Sequence, residues 1–159
     1  MFGLSGQLNT LKSIRMRVNL ERVNDAVHFE GTSHSTTVKV HIDGNPEIGG
    51  QGLGSRPMEL VLMALGSCSA LDLLHVLKKQ KQDVKSFWVS VDGTRREVLP
   101  AVFTKIHIIF NLSGNVDPAK AERAAELAVK KYCSVHDMLA AGGVEITYAV
   151  EISSSTFKQ

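Results

Sequence analysis

Residues 57–72 read P-M-E-L-V-L-M-A-L-G-S-C-S-A-L-D, and this stretch decides the fold. Pro57 can open a helix because the first helical position has no intrahelical hydrogen bond to lose, and the pattern predicts a helix that runs to about Gln80. Up to Ala70 the run is apolar nearly all round, so we expect the first half of the helix to be buried on most sides. Cys68 lies in this half between two serines and just after a glycine, and these small residues leave space beside its sulfur.

The segment before this helix predicts a three-stranded meander and a long loop. Val38, Val40 and Ile42 alternate with polar residues, which is the period of a half-buried strand. Two earlier runs, 14–20 and 26–31, flank a turn signal. Residues 44–56 contain five glycines, and their spacing fits neither a phosphate-binding loop nor a dinucleotide fingerprint. A mobile connector and a lid over the following helix stay open as alternatives.

The segment after the helix predicts two strands, a helix and a last strand. Alternating or β-branched runs near 87–91 and 101–112 are typical of strands. Asp117 followed by Pro118 predicts a helix start, and Ser134 predicts the cap of one more short helix. Residues 144–152 alternate clearly and predict the final strand. The order of three strands, helix, two strands, helix and strand indicates an α+β fold.

Composition limits the classes of function. The 159 residues are 43% apolar and 21% charged, which is enough for one domain with its own core. The net charge is only +2 and no basic block is present, so the sequence gives no support for nucleic-acid binding. Residues 1–20 lack the apolar run of a secretory signal, and the apolar stretch 60–71 is too short to cross a bilayer. We therefore expect a cytoplasmic protein without a membrane partner.

Cys68 and Cys133 are the two cysteines of the chain, 65 positions apart. A reducing cytosol keeps thiols free, so a permanent disulfide is not expected. Cys133 lies at a junction between two predicted helices, where the amides of the next helix favour a thiolate. Two interpretations stay open from the residues alone: both thiols pack inertly in the core, or one is oxidised to a sulfenic acid that the other resolves as a disulfide.

A metal site is a third alternative for the same residues. Cys68, Asp72 and His75 follow i, i+4, i+7 spacing on one helix face, and Cys133 and His136 would add two more donors. The spacing is irregular and lacks the paired knuckles of structural zinc sites, so we predict neither a metal nor a cofactor.

The two cysteine motifs together resemble a known family. The run from Pro57 to Asp72, followed by K-Y-C-S-V-H at residues 131–136, is similar to the OsmC/Ohr superfamily and most of all to its YhfA branch. Arg95, Arg96 and Glu97, with a proline and a Phe-Thr pair after them, resemble that branch as well. The resemblance covers residues 15–153 as a single OsmC-like domain, with residues 1–14 as an N-terminal extension and 154–159 as a C-terminal tail.

The resemblance implies a fold and an activity. Two antiparallel or mixed sheets would surround two central helices in an intertwined homodimer, with sites at the subunit interface. Well-studied members reduce organic hydroperoxides, so Cys68 would attack a small apolar hydroperoxide and Cys133 would resolve the intermediate. A dithiol reductant, lipoyl-bearing in those relatives, would restore the thiols.

Three further residues are predicted to support Cys68. In the peroxidase branches a glutamate after the helix-opening proline pairs with an arginine that activates the thiolate. Here Glu59 lies one position later. Arg22 and Arg96 are candidates for the arginine, and Arg17 or Arg56 could equally serve. The second motif also has Ser134 where those branches have proline. These departures leave an alternative function, a small-ligand-binding or redox-sensing module that keeps the scaffold without peroxidase activity.

Overall fold

The computed structural model describes residues 15–153, and the predicted extension 1–14 and tail 154–159 lie outside them. The predicted α+β class is confirmed, with two three-stranded sheets and three α-helices in the described range. The elements are β1 (Val18–Arg22), β2 (Phe29–Ser33), β3 (Thr36–Ile42), α1 (Pro57–Lys79), β4 (Asp83–Arg95), β5 (Phe103–Asn115), α2 (Pro118–Leu127), α3 (Ser134–Ala141) and β6 (Glu145–Ser153). A 3₁₀ turn (Pro46–Ile48) precedes α1, and a π-helical turn (Ala128–Tyr132) separates α2 from α3.

The chain forms two compact units, one up to Pro57 and one from Met58 onward. The N-terminal unit contains the antiparallel meander β1-β2-β3, in which Leu20, Gly31 and Val40 lie directly opposite one another. Apolar side chains on the two outer strands of this sheet are exposed, namely those of Val18, Leu20, Val38 and Val40. The prediction of one domain over residues 15–153 stays a prediction.

The glycine-rich loop of the N-terminal unit is held by one buried carboxylate. Asp43 accepts hydrogen bonds from the backbone N–H groups of Gly44, Gln51 and Leu53 at 2.8, 2.8 and 3.0 Å. These donors, those of Leu53 and Gln51 most of all, lower the pKa of Asp43 below its usual value because they favour the charged carboxylate. A Cβ on Gly50 would lie 2.0 Å from the carbonyl oxygen of Gly44, so the loop closes tightly on itself. Whether the loop is a mobile connector or a lid stays a prediction.

The second unit is built on a mixed sheet in which β5 pairs antiparallel with β4 and parallel with β6. Alternate residues of β5 face the helices, and Ile106, Ile108, Phe110 and Leu112 are buried. Small residues on α2 are buried in the same core. Asp117 caps α2 by accepting the N–H of Lys120 at 3.0 Å, as the sequence predicts.

Within the single chain, helix α1 is buried along one stripe, and its burial on most sides stays a prediction. Leu65, Leu73 and Leu77 are fully buried and pack in the core of the second unit. Met63 is 54% exposed and Leu71 is 71% exposed within the single chain. Met63 and Leu71 therefore belong to an exposed apolar side of α1.

Length and composition alone would allow α1 to cross a bilayer, because its most apolar window has a mean hydropathy of 1.9. A single helix of this kind is weak evidence for a membrane, since core helices of water-soluble proteins pass the same test. The fully buried leucines of α1 pack in the core of the second unit.

Candidate functional site

The direction of Cys68 is set by the packing of α1 on the sheet. Leu65, Ser69 and Leu73 succeed one another at four-residue spacing along the buried stripe. Gly66 lies against β4, and a Cβ at this position would be 2.7 Å from Cγ2 of Val91. Because this close approach fixes the rotation of the helix, Cys68 lies at the border of the buried stripe, half-buried and in contact with the core.

Cys133 is placed by two changes in backbone geometry. The π-helical turn ends on it, with its N–H donating to the carbonyl of Ala128 five residues earlier. Its backbone is extended, with φ −73° and ψ 102°, and α3 begins at the next residue. The N–H of His136 donates to Cys133 Sγ at 3.4 Å, so the sulfur itself caps α3. The prediction that Ser134 provides the cap is therefore wrong by one residue.

The structure brings the two thiols together. The pKa of Cys68 responds to the Cys133 side chain and to the backbone N–H groups of Ser134 and Val135, so the two thiols are neighbours at the start of α3. Cys133 Sγ lies 4.0 Å from the carbonyl oxygen of Leu65, one turn before Cys68 on α1. The start of α3 therefore faces both sulfurs, and the N–H of His136 donates to Cys133 Sγ. Both cysteines are free thiols in this structure.

Opposing influences act on the ionisation of Cys68. Burial raises the pKa of the Cys68 thiol most strongly, and the hydrogen bond with Cys133 raises it further. The amides of Val135 and Ser134 lower the pKa, because an N–H donor at a helix start favours a negative sulfur. The raising influences prevail, so the pKa of Cys68 lies above its ordinary value and the thiol form predominates at neutral pH.

The predicted supporting residues Glu59 and Arg96 belong to the second unit, like Cys68, and are not among the groups that shift its pKa. Glu59 precedes Cys68 by nine residues, which at about 100° per residue places it on the opposite side of α1. Arg96 lies in the β4–β5 hairpin, where its Nε donates to the carbonyl of Pro100. Arg22 is an exposed residue at the end of β1 in the N-terminal unit. The groups that shift the pKa of Cys68 all belong to the second unit, and none of them is a cation.

An apolar cavity of about 470 Å³ lies on the far side of α1 from Cys68. Its walls are formed by α1 and β4, with Gly66 at the base and Glu59 and Ser67 as the polar contributors. The other lining residues are Leu62, Met63, Ala70, Val89 and Val91. Helix α1 separates this cavity from the two thiols, so the cavity and the thiols are two distinct surfaces of one chain.

The proposed metal ligands are not assembled into a site. Among residues 15–153, no group of three or more His, Cys, Asp or Glu side chains is arranged to hold a metal ion. His136 instead pairs through Nδ1 with Asp137 Oδ1 at 3.1 Å. Neither Asp72 nor His75 is among the groups that shift the pKa of Cys68.

Comparisons with known proteins agree with the two cysteine motifs. The family model for OsmC-like proteins matches residues 50–149, a range that contains both cysteines. Protein YhfA of Escherichia coli K12 is 43% identical over 97 residues, which are 60% of this chain and 72% of YhfA.

Solved structures share the fold. A hypothetical protein from Aquifex aeolicus is 31% identical with a TM-score of 0.73, covering 89% of this chain and all of the other. An organic hydroperoxide resistance protein from Legionella pneumophila, also described as a predicted redox protein, has a TM-score of 0.65 over 87% of this chain and 97% of its own. Its identity is 15%, so that likeness concerns the fold alone.

The amide of Ser134 can be removed without breaking α3, which tests its influence on Cys68. Proline suits the first helical position, and the extended backbone of Cys133 suits a residue before proline. We expect Ser134→Pro to raise the pKa of Cys68 by about 0.2–0.7 unit, the range that one helix-end interaction provides. The measurement is the alkylation rate of Cys68 against pH in a Cys133→Ser background.

The matched control is Ser134→Ala, which keeps the amide and should leave the alkylation midpoint unchanged. In both proteins the rate should rise with pH through a midpoint above the ordinary thiol value of about 8.5. A midpoint well below that value, or equal midpoints for the proline and alanine variants, would contradict this electrostatic account.

Proposed function

The chain belongs to the OsmC-like family, and we propose that it is a thiol peroxidase that reduces organic hydroperoxides through Cys68 and Cys133. The names given to relatives of this fold suggest redox chemistry and peroxide resistance at the level of the superfamily. The observation that carries the proposal for this chain is the contact between the two thiols at the start of α3. Two inert core cysteines would not need to share one set of helix amides.

The proposed reaction uses the unequal positions of the sulfurs. The Cys68 thiolate attacks one oxygen of the hydroperoxide, the O–O bond breaks, and the alkoxide leaves as an alcohol after taking a proton. Cys68 is then a sulfenic acid. The Cys133 sulfur attacks the Cys68 sulfur, the S–O bond breaks, and the hydroxyl group leaves as water with the Cys133 proton. A dithiol reductant of the lipoyl kind restores the thiols in this proposal.

The raised pKa of Cys68 limits the fraction of thiolate in a single chain. Even an unperturbed thiol is only a few per cent ionised at pH 7. The amides of Ser134 and Val135 provide partial compensation. We propose that a cation completes the activation, with Arg22 and Arg96 as the candidates and Glu59 as the residue that orients it.

We further propose that the protein is a cytoplasmic homodimer with its sites at the subunit interface and that it needs neither a membrane nor nucleic acid. Open apolar surfaces in both units support the dimer. The exposed side of α1 carries Met63 and Leu71, and the N-terminal sheet carries exposed valines and a leucine on its outer strands. Contiguous apolar surfaces of this kind mark interaction sites.

A second candidate function is a small-ligand-binding or redox-sensing module on the same scaffold. The cavity beside α1 favours it, because about 470 Å³ of mostly apolar space would hold a small apolar ligand. The raised pKa of Cys68 favours it as well, because a protonated thiol reacts slowly with peroxides.

Substitution of each cysteine separates the two functions. With an alkyl hydroperoxide and dithiothreitol, Cys68→Ser should lower turnover by at least about 1,000-fold, because it removes the attacking sulfur. With the hydroperoxide but without dithiothreitol, Cys133→Ser should complete one turnover and accumulate a sulfenic acid on Cys68, detected by dimedone labelling and mass spectrometry. Lys120→Ala, an exposed residue of α2, is the control and should keep wild-type turnover. Wild-type protein that consumes no more peroxide than Cys68→Ser would reject the peroxidase and leave the binding module.

A charge on the exposed side of α1 tests the homodimer. Leu71→Glu should weaken self-association on the order of 100-fold, because a carboxylate buried in an apolar interface loses its hydration. Leu99→Glu, at a hairpin tip that is 90% exposed, adds the same charge elsewhere and should leave the dimer intact. Light scattering across a concentration series reports the oligomeric state. A wild-type monomer, or equal behaviour of the two variants, would contradict the proposal.

A further inference from the structure

The two sulfurs differ sharply in their access from solvent. Cys133 is 1% exposed and belongs to the buried core of the second unit. Cys68 is only partly buried and lies at the edge of that core. The buried side of Cys133 is closed by the π-helical turn before it and by α1, whose Leu65 carbonyl lies 4.0 Å from the sulfur. Within one chain, an external thiol can therefore reach Cys68 and not Cys133.

We propose that thiol–disulfide exchange with this protein has a fixed direction, in which external sulfur always enters and leaves at Cys68 and Cys133 is always the internal partner. The proposal rests on the proposed function for the existence of a Cys68–Cys133 disulfide. It adds which sulfur a small thiol or dithiol attacks, and it applies to disulfide reagents as well as to peroxides.

A dithiol reductant restores the two protein thiols in two exchange steps. One thiolate of the reductant attacks Cys68 Sγ, a bond forms between those two sulfurs, and the Cys68–Cys133 bond breaks. The electron pair of the broken bond leaves on Cys133 as a thiolate, which then takes a proton. The second thiolate of the reductant attacks its own first sulfur and releases the Cys68 thiolate, which is protonated in turn. The reductant leaves as a disulfide, and the protein regains two thiols.

The capping contact of Cys133 explains how it can act as the leaving group in a buried place. A thiolate there would be unfavourable without hydrogen-bond donors. The N–H of His136, 3.4 Å from Cys133 Sγ, is already directed at the sulfur in the thiol form. The charge that develops on Cys133 therefore meets a donor at the positive end of α3 without rearrangement.

Dithiobis(nitrobenzoate), an aromatic disulfide, tests the direction without any peroxide. Wild-type protein should release two nitrothiophenolates per chain, the second by attack of Cys133 on the adduct at Cys68. Cys133→Ser should release one at the wild-type rate and keep a stable adduct on Cys68, located by peptide mass spectrometry. Cys68→Ser should react at least about 100-fold more slowly, because its remaining thiol is reached only when the core opens locally.

Two controls check that the variants are folded and that the remaining thiol of Cys68→Ser is chemically reactive. Circular dichroism should show that both serine variants are folded, and Cys68→Ser should react rapidly once it is unfolded in guanidinium. An adduct located on Cys133 in wild-type protein, or a native Cys68→Ser variant that reacts as fast as Cys133→Ser, would overturn the proposal. Since no peroxide is involved, failure of the peroxidase assay would leave this result unchanged.

Discussion

The close packing of α1 on β4 at Gly66 is the constraint from which the site follows. Without a side chain at this position the helix axis approaches the sheet, and a Cβ would lie 2.7 Å from Val91. The leucines of the buried stripe then lock the rotation of the helix, and this rotation alone determines that Cys68 faces the start of α3. The same rotation turns Met63 and Leu71 outward, so one packing contact defines both the thiol site and the open apolar surface.

The start of α3 then decides the chemistry of the pair. The first turn of this short helix faces both sulfurs, and the N–H of His136 donates to Cys133 Sγ. These donors favour thiolates, whereas burial and the second thiol favour the protonated form of Cys68, and the latter prevail. A dithiol with one buried sulfur and one sulfur at the edge of the core has donors in place for the negative charge of an exchange reaction. Fast attack on peroxide would need a further positive charge near Cys68.

The sequence predicts the elements better than the site. The starts of α1 at Pro57 and of α2 after Asp117, and the alternation of β6, depend on local rules and are confirmed. The role of Cys133 as a helix cap was missed, because cysteine is not a usual capping residue and its position depends on a π-helical turn with no sequence signature. The exposed apolar side of α1 could not be assigned a partner surface from the sequence, since hydrophobicity indicates a need for cover and not which surface provides it.

The contact between Cys68 and Cys133 is the claim on which the account depends most, and disulfide mapping of the native protein tests it directly. One equivalent of diamide, added to the reduced and folded protein, should yield a chain two hydrogens lighter. Digestion under non-reducing conditions should then give one linked pair of peptides, which contain Cys68 and Cys133 of the same chain, and a dithiol should reverse the link. Native protein that keeps both thiols free, or that links only through like cysteines of two chains, would contradict the account.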